Sequence, residues 1–199
     1  MRPSPDESNA PRAPAPRSPL SAAARLSLFY AAIFTAVGLH MPYWPVWLKA
    51  QDLGAGEIGV LLAAAFWAKL VGNPVVGHIA DRTGRRARPM QVLAVASLVS
   101  FAAFAVLEGF WAFLALSIVA GATFSALMPL GENLTLLTAH ARGLDYGRIR
   151  LWGSLTFIVG AMGGGWFLLD GPADRILWAI LGALGLTIAA CLALPETED

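Results

Sequence analysis

The sequence predicts an all-α, polytopic membrane protein, and three observations carry that prediction. Of its 199 residues 57% are hydrophobic and only 14% are charged, against about 25% charged in soluble domains. The mean hydropathy is +0.62. Six apolar stretches, at about 26–48, 57–79, 90–107, 110–134, 151–169 and 174–194, approach the roughly 20 helical residues that cross a hydrocarbon core. Backbone groups in lipid must be satisfied internally, so the stretches are expected as helices. No soluble core of this size hides so much apolar surface. Lipid is the expected solvent.

Residues 1–20 precede the first stretch. They hold six of the thirteen prolines together with Arg2, Arg12 and Arg17 and show no periodicity, so they are expected as a disordered cytoplasmic tail. The first stretch continues past signal-peptide length and ends in Pro42-Tyr43-Trp44-Pro45-Val46-Trp47 without a small-residue cleavage site. It is read as a retained span. Pro42 and Pro45 are expected to end or kink it, with Tyr43, Trp44 and Trp47 at the outer interface. Short connections imply antiparallel neighbours along the chain.

Orientation follows from the basic residues. Arg2, Arg12, Arg17, Arg25, Arg82, Arg85, Arg86, Arg88, Arg142, Arg148 and Arg150 all fall on the side of the N-terminus, whereas Lys49 and Arg175 fall on the other. Both ends are therefore expected in the cytoplasm, with residues 195–199 a cytoplasmic end. An inner (plasma) membrane is the expected location. The basic residues form no soluble stripe, so nucleic acid is not an expected partner.

Ionisable residues inside apolar stretches are the functional candidates. A carboxylate at a helix centre costs roughly 2.5–3.5 kcal/mol on insertion scales, yet Glu132 and Asn133 follow the apolar run from Trp111 to Leu130. The expected partner of Glu132 is the arginine entering the fifth stretch. Lys69, His40 and Asn133 are candidate cavity residues. Each has a plainer reading: Lys69 snorkels to an interface, His40 is a satisfied or water-exposed histidine, and Asn133 packs. Arg148 is read as an anchor, and Gly160 with Gly164 as a close-packing face. The single Cys191 is read as a small hydrophobe. There is no Ser/His pair, no paired aspartates and no H-E-x-x-H spacing. Neither an enzyme nor a bound metal or cofactor is expected.

Between the second and third stretches stands Gly77-His-Ile-Ala-Asp81-Arg82-Thr-Gly84-Arg85-Arg86. Gly77 is expected to permit close helix approach, Gly84 a tight turn. The string G-x-x-x-D-R-x-G-R-R resembles the hallmark loop of the major facilitator superfamily, with Ile79 where leucine is commoner. The resemblance implies that the acid and arginines latch one half of a transporter against the other. It also implies that the six spans form an N-terminal half, a 3+3 inverted repeat of spans 1–3 and 4–6.

Further residues are similar to the lactose permease and phenylpropionate permease group. Gly38-x-x-x-Pro42-Tyr43-x-Pro45-x-Trp47-Leu48 follows its G-x-x-x-P-F-x-P-x-W-L pattern. Tyr146-Gly147-Arg148-x-Arg150-x-x-Gly153 follows its F/Y-G-R-x-R-x-x-G pattern, with Glu132 at the matching separation. The likeness covers residues 25–194. It implies that Glu132 and Arg150 pair and bind solute, and that Phe157, where the group has tryptophan, packs on the solute's ring face. A sugar or an aryl carboxylate is the implied solute, moved by alternating access in proton symport. The usual transporter has twelve spans, so the implied partner is a missing C-terminal half or a second six-helix half, which would carry the proton-transferring residues. The other reading is a non-transporting six-span interaction protein that associates through the Gly160–Gly164 face.

Overall fold

The structure, a computed structural model, describes residues 21–83, 86–168 and 171–194, without the side chains of Asp81, Thr83 and Leu168. The N-terminal tail, Gly84, Arg85 and residues 195–199 lie outside the described residues. Six helices follow in order: α1 (Ala22–Ala50), α2 (Ala55–Thr83), α3 (Ala87–Ala103), α4 (Phe110–Arg142), α5 (Tyr146–Leu168) and α6 (Asp174–Ala193). Among the described residues, α1, α2 over Ala55–Ala80, α4 and α6 are long and apolar enough to cross a membrane, and α3 is a shorter apolar helix.

Local signals set several of the ends. Ser21 caps α1 by accepting from the Ala24 N–H. Glu57 reaches back to the Gly54 N–H at 2.8 Å, the acidic half of a capping box at the start of α2. Of the two outcomes expected at Pro42 and Pro45, an end does not occur: α1 runs through both to Ala50. Neighbouring helices can re-satisfy the backbone groups that a membrane-helix proline frees. α4 runs eight residues past its apolar stretch, so Glu132 and Asn133 stand well inside a helix.

α1 packs chiefly on α5 and then on α6, whereas α4 packs chiefly on α2 and then on α3; α3 and α6 also meet. α4 and α5, though joined by a short turn, barely touch. Glycine permits the closest approach. A Cβ built at Gly38 would stand 2.6 Å from the Phe157 carbonyl oxygen and 3.2 Å from the Ala161 nitrogen. Gly160 faces the Thr35 backbone, Gly153 the Phe34 ring, and Gly164 the side chains of Leu39 and Tyr43. The Tyr43 hydroxyl donates to the Ala161 carbonyl. The rising order of these partners makes α1 and α5 parallel. The Gly160–Gly164 face is thus consumed inside the bundle and is not a free association surface. On the other side Gly121 meets the Ala65 backbone, and the Ser125 hydroxyl donates to Asn73 at 3.0 Å.

Two apolar clusters fill the bundle. One gathers Leu26, Phe29, Tyr30, Ile33, Met90, Leu127, Leu134 and Cys191. The other gathers Trp44, Trp47, Phe101, Phe104 and Phe113 with the first turns of α6. Trp44 and Trp47 are 4% and 1% exposed, which corrects their expected place at an interface. Their rings stack at 4.8 Å, and Phe104 meets both edge-on. The indole N–H of Trp47 donates to Asp174 at the start of α6, so the polar tip is satisfied without water. Nothing lies within 4 Å of a Cβ built at Gly77, so the close approach expected there does not occur among the described residues.

The glycine contacts predict an asymmetric outcome for two like substitutions. Gly38→Ala should force α1 from α5 and destabilise the bundle by about 1–3 kcal/mol. Gly182→Ala on α6, where a Cβ meets open space, should leave it unchanged. Thermal unfolding of the two variants in detergent checks this.

Candidate functional site

The turn between α4 and α5 sets the geometry of the site. Gly143 closes α4 in the left-handed conformation, φ 63°, and the Leu144 N–H returns to the Ala139 carbonyl. Asp145 then caps α5 by accepting from the Arg148 N–H at 3.1 Å. The two helices diverge from this turn. Glu132 lies ten residues before Arg142, roughly 15 Å along the axis, so it sits at membrane depth if α4 spans. Arg150 lies in the second turn of α5, and its long side chain crosses the opening.

Arg150 and Glu132 form an ion pair, Nη1 to Oε1, at 2.8 Å. Nη1 itself is buried, and its approach to Oε1 is a close charge contact rather than an aligned hydrogen bond. The side chains are otherwise 37% and 38% exposed, so the pair can be reached from outside the bundle. The Tyr146 hydroxyl donates to the same Oε1 at 3.1 Å, and a hydrogen bond to an ionised acceptor is among the stronger kinds. α1 supplies the floor. The Arg150 guanidinium lies 5.7 Å from the centre of the Tyr30 ring and 5.4 Å from that of Phe34, within the range where a ring attracts a cation. Those two rings stack at 6.0 Å. Gly153 leaves the room that Phe34 fills, and Gly131, beside Glu132, leaves room for the Phe29 ring.

Five side chains from three helices thus converge: Glu132 from α4, Tyr146 and Arg150 from α5, and the Tyr30–Phe34 pair from α1. Phe157 lies seven residues beyond Arg150, roughly 10 Å along α5, half-buried and with its carbonyl against Gly38. The rings against the guanidinium are those of Tyr30 and Phe34. Tyr30 and Phe34 were legible only as an i, i+4 aromatic pair, and Tyr146 as the residue one turn before Arg150.

The other candidate residues are dispersed. Lys69 is exposed on α2 and Asn133 exposed on α4, neither with an ion-pair or hydrogen-bond partner among the described residues. Arg148 is exposed at the start of α5. Asp81 and Arg82 belong to the last turn of α2 rather than to a loop; Arg82 is exposed and Arg86 half-buried. The Asp81 side chain, Gly84 and Arg85 lie outside the described residues. His40 lies on α1, away from the ion pair, among Trp44, Phe101 and Phe124.

A helical bundle with four membrane-length apolar helices and a carboxylate–guanidinium pair between two of its helices is, as a class, a multi-pass membrane protein. Residues 23–198 match the MFS_1 like family. The chain belongs to that family, within the major facilitator superfamily.

The chain is similar to the "Probable 3-phenylpropionic acid transporter" of Escherichia coli, 34% identical over 137 residues, 68% of this chain and 36% of that protein. It is equally similar to the "Maltose permease" of Geobacillus stearothermophilus, 34% identical over 174 residues, covering 83% and 42%. The "Quinolone resistance protein NorA" of Staphylococcus aureus is 28% identical over 156 residues, covering 77% and 39%. The crystal structure of the nucleoside transporter NupG superposes with a TM-score of 0.80 at 12% identity, covering 89% of this chain and 45% of that one, a likeness of fold. The chain spans less than half the length of these relatives.

The ion pair makes a prediction of its own. A double-mutant cycle on Glu132→Gln and Arg150→Gln, read by unfolding in detergent, should give a coupling of about 0.5–1 kcal/mol, the range of partly exposed pairs. Strictly additive effects would mean that the two side chains do not meet.

Proposed function

We propose that this chain is the N-terminal half of a solute transporter and that Glu132 and Arg150 form its solute-binding pair. The observation that carries the reading is the pair itself: two opposite charges at membrane depth, more than a third exposed, on a floor of aromatic rings. Intramembrane ionisable residues face the bundle interior or a water-filled path and mark substrate routes. The pair offers a small organic solute both hydrogen-bonding characters. Arg150 donates to a carboxylate or hydroxyl oxygen, Glu132 accepts from a hydroxyl, and the rings accept an apolar face. The buried Tyr30 hydroxyl, without an aligned partner among the described residues, adds a further polar group. Phe157 is the proposed contact for the far end of the solute.

The relatives named for 3-phenylpropionic acid and for maltose fit the two solute classes that the pair suits, an aryl carboxylate and a sugar. Neither a catalytic role nor a cofactor is part of this reading. All six helices are proposed to span the inner membrane with both ends in the cytoplasm, following the bias of arginine towards one side. A 3+3 inverted repeat is supported by the packing pattern. Exchanging α1 with α4, α2 with α5 and α3 with α6 carries the main helix contacts onto one another. Broad apolar surface on α2 and α5, including Trp67, Val71, Ile158 and Met162, would then meet lipid and a second six-helix half. The segment from Gly77 to Arg86 is proposed to latch that half during alternating access, with protons as the coupling ion.

In the complete transporter, Glu132→Gln and Arg150→Lys should each abolish uptake while leaving membrane insertion and expression intact. Lysine keeps the charge but loses the planar fork that a bidentate contact needs. Normal uptake by both variants would refute the site.

A further inference from the structure

The bundle contains a second polar locus that the Glu132–Arg150 reading does not use. Between α1, α2, α3 and α4 lies a cavity of about 50 Å³ whose wall includes His40, Ser117, Trp44, Phe101 and Phe124. Its lining is aromatic and aliphatic except for one imidazole and one hydroxyl.

Ser117 is the exception among the buried serine and threonine hydroxyls of the described residues. Ser97, Ser100, Thr135, Thr138 and Thr187 each donate to the carbonyl four residues back, the usual escape for a hydroxyl on a helix in lipid. Ser117 is 5% exposed, and its Oγ has no hydrogen-bond partner among the described residues. His40 likewise has ring contacts and no hydrogen bond among the described residues. Ser117, buried without a partner among the described residues, and the half-buried His40 border one cavity. A ligand there would relieve the hydroxyl, because a buried polar group left unsatisfied costs about 1–3 kcal/mol. The cavity is large enough for a water, which needs roughly 10–15 Å³ and two to four polar partners.

We propose that His40 and Ser117 form a proton-binding site, in which water bridges the imidazole and the hydroxyl and the imidazole takes up the proton. A neutral imidazole has one free nitrogen lone pair; a hydronium proton from bulk solvent, passed on through the bridging water, binds there and gives an imidazolium, leaving the water neutral. The bridging water then accepts from the imidazolium and donates to Ser117. The Trp44 ring, stacked on His40 at 5.5 Å, offers a π face that favours a cation at this range. Besides His40 and Trp44, the cavity is lined by Leu61, Leu62 and Ala65 from α2, Phe101 and Phe104 from α3, and Ser117, Ala120, Gly121 and Phe124 from α4. None of these lining residues is charged or titratable. His40 is six residues beyond Phe34, roughly 9 Å along α1, and the site is separate from the solute pair. It stands whether or not that pair binds solute.

The chain has three histidines, His40, His78 and His140, so imidazole nitrogen resonances of the ¹⁵N-histidine-labelled chain in lipid nanodiscs are few, and His40→Phe assigns the relevant set. The His40 signal is expected to pass from a neutral tautomer to imidazolium as the pH falls, with magnetisation transfer from a long-lived water. Ser117→Ala removes the acceptor to which the bridging water donates in the charged form. It should move the midpoint to lower pH by about half a unit or more, and Ser117→Thr should restore it. A His40 that keeps one neutral tautomer throughout would overturn the site. So would a titration that Ser117→Ala leaves unmoved.

Discussion

Two opposite charges that meet between α4 and α5 set the terms for the rest of this molecule. A lone carboxylate at the position of Glu132 would be expelled or protonated, and a lone guanidinium would pull α5 towards the headgroups. Joined at 2.8 Å, each makes the other tolerable. Their union ties α4 to α5, although the two helices share almost no packing. Tyr146 holds the carboxylate from one side, and the Tyr30–Phe34 pair holds the guanidinium from below. A pair this well held yet still exposed has capacity left for a third participant. That spare capacity is what the proposed solute site requires and a purely structural clasp does not.

The floor of that site depends on backbone contact elsewhere. Phe34 can lie under Arg150 because Gly153 has no side chain, and α1 can approach α5 because Gly38 and Gly160 have none. Lipid offers apolar side chains no reason to cluster, so close backbone packing has to hold helices together. The same rule applies across the bundle, where Gly121 meets Ala65. Binding chemistry and helix packing therefore share residues, and α1 is the element common to both.

Much of this was legible in the sequence because the physical signals are strong. Apolar stretches of membrane length mark where helices run, and an acidic residue beyond an apolar run draws the eye to Glu132. The fixed separation to Arg150 identified its partner. What escaped was governed by the helices' rotation about their axes, which spacing alone does not reveal. Trp44 and Trp47 look like interface aromatics along the chain, but they face α3 and α6 and are buried. Pro42 and Pro45 look like an ending, but packing carries α1 on to Ala50. Phe157 aligns with a family position, whereas the rings against Arg150 come from a different helix. Ser117 could not be singled out at all, because its failure to bond its own helix is visible only in three dimensions.

The central claim is that a solute touches Arg150 when it is bound. Solid-state NMR on the whole transporter in lipid, with ¹⁵N-labelled arginine and ¹³C-labelled 3-phenylpropionate or maltose in turn, measures that contact directly. The account predicts that the transported solute shows ¹³C–¹⁵N dipolar dephasing from a guanidinium within about 4 Å, the span of a direct charge-assisted contact, and that the dephasing vanishes in Arg150→Lys. A bound, transported solute with no guanidinium contact, or with one that survives Arg150→Lys, would contradict it.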